Sequence, residues 1–296
     1  MKRIIITIIT LVFIFPVFLM AGSSKSTKCK TKYPVVFAHG MFATDKMLGF
    51  IDYWWGVKDA VEDKSATVYM TAVNCMDSTA NKALQFKYQY LQILAINGSS
   101  KANIIGHSHG GMYTRYAITN LGLAPKVASL TSVCSPHRGS SAADTIFNII
   151  PNPFESLIGS AVDVLYVFIM GDSNPNSIEN GIAVTRDYCN NIFNPNTPNV
   201  SGLYYQSYAT KIKWLTADLI LEPLWVIIKY YEGDNDGLVS VNSAKWGNFR
   251  GVESGAWWSG GVSHINAIGH FFGLTPGFSA GDYYVDMIAD LKNRGF

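Results

Sequence analysis

Residues 103–112 read NIIGHSHGGM, an apolar stretch that gives way to glycines, two histidines and one serine. Ser108 has Gly106 two positions before it and Gly110 two positions after it. This G-x-S-x-G spacing is typical of a nucleophilic serine on a sharp strand-to-helix turn, where close packing tolerates only small flanking residues. The same pattern also fits an ordinary glycine-rich turn, so its meaning depends on residues elsewhere that could act with Ser108.

A serine hydroxyl is a weak nucleophile at neutral pH, and it needs a base that takes its proton. Where a serine occupies such a turn, the acid and then the histidine follow it in the chain. Of six histidines, only His264 and His270 follow a suitable acid. His264 lies on the glycine-flanked loop GGVSHIN, whereas His270 falls within an apparent helix, where a lone histidine more often packs or caps. We therefore predict that His264 is the base.

The turn GDNDGLV at 233–239 supplies two candidate acids, Asp234 and Asp236. We favour Asp236, whose carboxylate would bond one imidazole nitrogen and stabilise the imidazolium that forms during attack. Asp234 is the reserve candidate, and as an exposed turn carboxylate it needs no catalytic role.

An oxyanion formed by attack on a carbonyl needs backbone N–H donors close to it. His109, the residue after the serine, would supply one of them at the positive end of the following helix. The segment AHGM at 38–41 would supply the second from Met41, because Gly40 lets this loop approach the serine closely.

The rest of the chain must position these groups. Apolar runs that predict strands lie at 33–40, 65–74, 101–106 and 126–135. Helical patterns lie between them at 78–97 and 109–121. The apolar residues that share one face of the first helix are Leu84, Tyr88, Leu91 and Ala95. Strands that alternate with helices predict an α/β fold with a mainly parallel sheet flanked by helices.

The composition fits one large globular domain. The chain has 296 residues, of which 48% are hydrophobic and 15% are charged, and this balance supports a sizeable core and argues against disorder. Lys2 and Arg3 precede an apolar stretch from Ile4 to Met20. We therefore predict a signal peptide at 1–22 and a mature domain at 23–296, with an uncleaved anchor as the alternative.

The mature chain is predicted to be electrically neutral. Loss of Lys2 and Arg3 would leave 21 basic residues against 21 acidic ones. With no basic run and no net charge, it has no electrostatic basis for binding nucleic acid. The four cysteines are too far apart in sequence for a C-x-x-C metal or redox site, and we predict no particular disulfide pairing.

Between about 145 and 231 the alternation of strands and helices weakens. Residues 154–170 and 212–231 are very apolar but contain carboxylates, and the second also contains Pro223, which argues against membrane spans. We predict a helical cap or lid inserted between sheet strands. The side chains that would bind an acyl chain there are Leu157, Val164, Leu224 and Trp225.

These segments resemble the bacterial true lipases of the Pseudomonas–Burkholderia type, which have the α/β-hydrolase fold. The similar segments are TKYPVVFAHGMFATDKMLGFIDYWWGV (31–57), KANIIGHSHGGMYTRY (101–116), VASLTSVCSPHRGSSAAD (127–144) and NDGLV (235–239). The resemblance implies the same catalytic and oxyanion residues that chain order and local context indicate: Ser108, Asp236, His264, Met41 and His109.

The resemblance also implies a calcium ion near the catalytic acid and histidine. The positions that match its ligands are Glu222, Asn266 and His270. Calcium prefers carboxylate oxygens, and this set has one carboxylate and an imidazole. Many members of the family fold with a dedicated foldase, which is a partner to consider for this chain.

The sequence therefore predicts a secreted serine ester hydrolase, extracellular or periplasmic and monomeric, that needs no cofactor. The closest activity is that of a triacylglycerol lipase acting on a lipid or ester, with the cap opening at a lipid–water interface. Short-chain esterase, thioesterase and polyester depolymerase are alternatives that use the same triad. A binding protein without catalysis on the same scaffold is the alternative from another class.

Overall fold

The computed structural model describes residues 26–41, 46–47, 51–147, 176–214, 218, 221–270 and 272–296. Its strands are β1 (Val35–Ala38), β2 (Lys46–Met47), β3 (Ile51–Asp52), β4 (Val68–Met70), β5 (Ala102–His107), β6 (Val127–Val133), β7 (Tyr204–Thr210) and β8 (Asn248–Glu253). Six of them form one sheet in the order β4-β1-β5-β6-β7-β8, in which every neighbouring pair is parallel. The predicted α/β class with a mainly parallel sheet is confirmed.

Helices connect successive strands and pack against the sheet. They span Val57–Glu62, Thr79–Asn97, His109–Asn120, Ser141–Ile146, Ser177–Ile182, Asn194–Asn196, Glu222–Glu232, Val241–Ala244 and Ala280–Asn293. Shorter turns of 3-10 helix lie at Ala124–Lys126 and Asn266–Ile268, and a π-helix lies at Tyr188–Phe193. The long helix Thr79–Asn97 begins where the Ser78 hydroxyl accepts a bond from the Asn81 N–H, and it ends at Gly98 with φ 59°.

Apolar layers cover both faces of the sheet. Side chains alternate between the faces of a strand, so in β1 Val35 and Phe37 join the layer formed by the helices Val57–Glu62 and Ala280–Asn293. Val36 and Ala38 join the opposite layer, with the helices Thr79–Asn97 and His109–Asn120. Burial on both sides explains why β1 reads as a continuous apolar run.

The predicted insertion at about 145–231 is not a continuous cap. Strand β7 lies inside this range and pairs with β6 on one side and β8 on the other. The hydrophobicity pattern does not reveal β7, because some of its buried side chains are polar. Gln206 donates to the Thr131 hydroxyl at 3.0 Å, and the Ser207 hydroxyl accepts from the Trp246 N–H at 2.8 Å. Because these groups are hydrogen-bonded, the strand can be buried without being apolar.

The side chains predicted to bind an acyl chain are only partly within the described structure. Leu157 and Val164 lie outside the described residues, as does the predicted signal peptide at 1–22. Leu224 is fully buried in the helix Glu222–Glu232, where it packs with Ala142 and Ile146. Neither Leu224 nor Trp225 lines the cavity described below, and their contact with substrate stays a prediction.

The four cysteines are all described, and none forms a disulfide. Cys29 and Cys134 are buried in one apolar layer of the core, and Cys189 is buried in another apolar cluster. Among the residues that the structure describes, none of the helices is both long enough and apolar enough to span a bilayer.

Candidate active site

Ser108 lies between the end of β5 and the start of the helix His109–Asn120. Its backbone has φ 55° and ψ −129°, a conformation that residues with a side chain rarely adopt. A Cβ on Gly110 would lie 2.2 Å from the Ala38 carbonyl oxygen, and a Cβ on Gly106 would lie 2.7 Å from the Gly110 backbone. Both glycines are therefore required by the packing of the turn that presents Ser108.

His264 and Asp236 form a buried pair. The Nδ1 atom of His264 lies 2.8 Å from the Asp236 Oδ2 atom, and the two side chains are 4% and 1% exposed. The other carboxylate oxygen accepts the N–H groups of Leu238 at 3.0 Å and Val239 at 2.8 Å. The His264 N–H also donates to the Asp236 carbonyl at 2.8 Å. These bonds fix both side chains relative to the loop that carries each.

The reserve acid Asp234 lies elsewhere. Its carboxylate is about half exposed and forms ion pairs with Lys211 at 2.8 Å and Lys229 at 2.7 Å. Hydrogen bonds to these two amines lower the pKa of Asp234 to about 2. The structure therefore brings Asp236, and not Asp234, to the ring of His264.

The loop after β1 approaches the serine closely. A Cβ on Gly40 would lie 2.7 Å from the Ser108 Cβ atom and 3.1 Å from its Oγ atom. Met41 follows in this loop and lines the same cavity as Ser108. His109 is the first residue of its helix, so its N–H has no acceptor within the helix. The N–H groups of Met41 and His109 are thus the candidate oxyanion donors on either side of Ser108.

The ring of His109 contacts the amine of a buried lysine. His109 Nδ1 lies 3.0 Å from the Lys82 Nζ atom, and His109 Nε2 lies 3.0 Å from the Thr79 hydroxyl. Lys82 also donates to the Asn180 side-chain oxygen at 2.7 Å. Burial lowers the pKa of Lys82 to about 7, because charging an amine away from water is unfavourable.

One cavity joins Ser108 and His264. Its volume is about 950 Å³ when the open solvent at its mouth is included, and its wall is mostly apolar. The apolar residues come from the helix Ser141–Ile146 and from three later segments: Ala143, Ile146, Phe147, Val184, Leu238 and Ile268. A polar reacting end with an apolar interior suits a substrate that carries a hydrocarbon chain.

The residues predicted as calcium ligands make other contacts. Asn266 accepts the Ser263 N–H at 3.3 Å and donates to the His270 carbonyl. His270 Nε2 lies 3.2 Å from the Tyr53 carbonyl oxygen, and Glu222 begins its own helix. The amide of Asn266 is therefore engaged on both atoms and the imidazole of His270 faces a carbonyl, an arrangement that does not fit a calcium ion.

Two further side chains bring donor atoms close to His264. His107, Cys134 and His264 each bring one nitrogen or sulfur atom to within 4.8 Å of the others. Each of them already has a partner: His107 contacts Tyr53, Cys134 contacts Thr210, and His264 contacts Asp236. We assign His107 and Cys134 to the packing around His264.

The sequence matches one protein family over most of the fold just described. The family is described as palmitoyl protein thioesterase, and it matches residues 34–217, well over half of the chain. The chain belongs to the palmitoyl protein thioesterase family. The matched span includes the loop at 38–41 and Ser108, and it ends before Asp236 and His264.

Curated relatives of this thioesterase family member are named as lipases. A triacylglycerol lipase of Burkholderia plantarii is 32% identical over 173 residues, covering 56% of this chain and 47% of the relative. A triacylglycerol lipase of Pseudarthrobacter phenanthrenivorans is 33% identical and covers 54% and 51%. A triacylglycerol lipase of Pseudomonas fragi is 25% identical and covers 90% and 98%. The chain spans about half the length of the first two relatives.

Solved structures with a similar fold are also lipases and esterases. The mature form of Bacillus licheniformis lipase BlEst2 has a TM-score of 0.65 at 16% identity, covering 88% of this chain and 92% of that one. The metagenomic carboxyl esterase MGS0156 has a TM-score of 0.65 at 14% identity, covering 88% and 76%. These likenesses confirm the α/β-hydrolase fold.

Three buried side chains next to the site were missed by sequence reasoning. Tyr53 and His107 lie between the loop at Gly40 and the ring of His264, and Lys82 lies beneath His109. The one feature of the sequence that could have indicated Tyr53 and His107 is that they fall within the segments that resemble lipases. Lys82 had no signal, because a lysine in a helix is usually taken as exposed.

The burial of Lys82 leads us to expect a specific pH dependence of the free energy of unfolding. Its pKa is about 7 in the folded protein and 10.5 where the amine is not buried. Between these two pH values the unfolded chain binds the proton and the folded chain does not. Stability therefore rises as pH rises through this window. We expect Lys82→Met to remove that slope, measured as the free energy of unfolding in urea from pH 7 to pH 10.

Lys87 provides a matched control on the same helix, since its amine bonds the Leu121 carbonyl at 2.8 Å in a partly buried position. Lys87→Met should keep the wild-type slope. Equal slopes in the wild type and the Lys82→Met variant would contradict the assignment of a largely neutral, buried lysine.

Proposed function

We propose that this protein is an exported serine ester hydrolase in which Ser108 is the nucleophile, His264 the base and Asp236 the acid. The observation that carries the proposal is the buried bond between His264 Nδ1 and Asp236, with His264 and Ser108 on the wall of one apolar cavity. The strained backbone of Ser108 supports the same role, because such strain persists mainly where function requires it.

The geometry supports one tautomer of the neutral His264 ring. Asp236 accepts from Nδ1, so the neutral ring carries its proton on Nδ1 and a lone pair on Nε2. That lone pair takes the hydroxyl proton as Ser108 Oγ bonds to the carbonyl carbon of the ester. The carbonyl oxygen becomes an oxyanion, and the N–H groups of Met41 and His109 stabilise it.

The remaining steps use the same groups. The tetrahedral intermediate collapses as its bond to the leaving oxygen or sulfur breaks, and that atom takes the proton of the His264 imidazolium while the acyl group stays on Ser108. Water then attacks the acyl carbon and loses a proton to His264 Nε2. The imidazolium returns that proton to Ser108 as the carboxylic acid leaves.

The apolar cavity supports a substrate with a fatty acyl chain. Among such substrates we favour a triacylglycerol or a related ester, since the curated relatives are named triacylglycerol lipases. We place the chain nearest to the Pseudomonas–Burkholderia lipases because of the segments around Ser108 and Gly40. A fatty acyl thioester is the second candidate, and the match to palmitoyl protein thioesterases favours it. We also propose that the protein is secreted and monomeric.

Loss of any member of the triad should abolish turnover and leave the fold intact. We expect Ser108→Ala and His264→Ala each to lower kcat by at least about 10⁴-fold, with the double variant no worse than either, because the two act as one unit. The measurement is hydrolysis of p-nitrophenyl butyrate, with circular dichroism as the check on folding.

Asp234→Asn is the matched control for Asp236→Asn, since both remove one charge from the same turn. The first should keep kcat near the wild-type value, while the second should lose most of it. A His264→Ala variant that remains active, with activity lost in His270→Ala, would reverse the assignment of the base.

The two substrate candidates predict different preferences. For a lipase of this kind we expect kcat/KM to be higher for p-nitrophenyl palmitate and emulsified triacylglycerol than for palmitoyl-coenzyme A. The physical reason is that the described residues of the cavity wall are mostly apolar and include no lysine or arginine that could bind a phosphorylated thioester. A preference for the palmitoyl thioester over the oxygen ester of the same acyl chain would favour the thioesterase.

Chelation should leave the protein unchanged. Asn266 and His270 bond to loop atoms rather than presenting free oxygens, so the loop that carries His264 has other support than a calcium ion. We expect EDTA to change neither the melting temperature nor the rate of p-nitrophenyl butyrate hydrolysis. A loss that added Ca²⁺ restores would contradict this expectation. His270→Ala, as a positive control for loop damage, should lower the melting temperature.

A further inference from the structure

The hydroxyl of Tyr53 lies between the oxyanion loop and the residue that precedes the serine. It is 2.9 Å from the Gly40 N atom and 2.7 Å from the His107 Nδ1 atom. Tyr53 is 4% exposed and His107 is 1% exposed, and both line the cavity that holds Ser108, so the two contacts are largely shielded from bulk water.

The direction of these two bonds follows from their donors. The Gly40 N–H can only donate, so the Tyr53 oxygen accepts from it. Burial raises the pKa of Tyr53 far above its usual range, and the hydroxyl therefore keeps its proton. With Tyr53 as the donor, His107 Nδ1 is the acceptor and the ring proton of neutral His107 is on Nε2, a buried atom without a hydrogen-bond partner among the described residues. Burial, with His264 nearby as a second cause, holds the pKa of His107 well below its ordinary value.

His107 in turn packs against the base. The ring centroids of His107 and His264 are 4.5 Å apart, with the ring planes inclined by 47°. The bond from His264 Nδ1 to Asp236 constrains the ring at one nitrogen, and the face of His107 limits its rotation about that bond. Tyr53 and Trp54 pack against His107 in edge-on contacts of 5.8 Å and 6.1 Å.

We propose that Tyr53 is a positioning residue whose hydroxyl joins the oxyanion loop, through Gly40, to the ring of His264, through His107. The inference rests on the proposed function of Ser108 and His264. It adds that the Tyr53 hydroxyl fixes the positions of both the Met41 N–H and the His264 ring. Both groups should therefore shift when this hydroxyl is removed. Reacting groups displaced by about 1 Å can lose about 100-fold in rate.

Tyr53→Phe tests this directly, because it removes the hydroxyl and keeps the ring contacts. We expect kcat for p-nitrophenyl butyrate to fall about 10- to 100-fold, with KM changed by less than about threefold. Tyr90→Phe is the matched control. Its hydroxyl is equally buried but bonds the Ala102 and Lys126 carbonyls, so its loss should affect stability and leave kcat near the wild-type value.

Two variants of His107 separate positioning from simple packing. His107→Asn keeps a carbonyl oxygen near the position of Nδ1 and can still accept from Tyr53, whereas His107→Leu cannot. We expect the asparagine variant to retain at least about tenfold more kcat than the leucine variant. In ¹⁵N NMR spectra, wild-type His107 should show an unprotonated Nδ1 and a protonated Nε2, and Tyr53→Phe should abolish this single tautomer.

The outcomes distinguish the inference from the proposed function. If a fluorophosphonate labels wild-type Ser108 and Tyr53→Phe keeps kcat within twofold, the positioning role is wrong and the triad stands. A protonated Nδ1 in wild-type His107 would also overturn the positioning role. If wild-type Ser108 is not labelled and the folded protein hydrolyses no ester, the proposed function fails and the inference fails with it.

Discussion

The backbone of Ser108 is held at φ 55° and ψ −129°, and the rest of the site is arranged around that residue. A strained residue of this kind costs about 1–3 kcal/mol, so the surrounding structure must over-determine it. Because Gly106 and Gly110 have no Cβ, β5 and the helix His109–Asn120 can pack closely at the turn. Gly40 likewise lets the loop after β1 lie in close contact with the serine. The same turn aims the start of the helix His109–Asn120 at the reaction centre, where its partial positive charge favours an oxyanion.

The parts of the site that the sequence predicts well are those with local or topological causes. A turn this tight requires small residues at Gly106 and Gly110, and that requirement is visible as a short motif. The order of acid and histidine follows from the order of parallel strands, since groups at the carboxyl ends of these strands gather at one edge of the sheet. This is why Asp236 and His264 could be selected before any contact between them was known.

Predictions that relied on hydrophobicity alone were less accurate. The helix Thr79–Asn97 begins one residue after the predicted start at 78 and ends at the predicted residue, but it exposes Leu84 and Tyr88 and buries Phe86 and Tyr90. Apolar residues occur on both faces of this helix, and only packing against the sheet decides which face is buried. Strand β7 was hidden for the opposite reason, because hydrogen-bonded Gln206 and Ser207 take the place of apolar side chains.

The residues that support the site from behind could not be predicted, because their contacts join distant parts of the chain. Tyr53 and His107 are 54 positions apart, and Lys82 and Asn180 are 98 apart. Neither pair leaves a periodic pattern or a motif. Their burial matters because a hydrogen bond away from water has few competitors, so it can fix a loop in one position.

The most direct test of the account is a crystal structure of the protein after reaction with an alkyl phosphonate that mimics the tetrahedral intermediate. We expect a covalent bond from phosphorus to Ser108 Oγ, the phosphoryl oxygen about 3 Å from the N–H groups of Met41 and His109, and the alkyl chain in the apolar cavity. An adduct on another residue, or a phosphoryl oxygen that points away from both N–H groups, would contradict it.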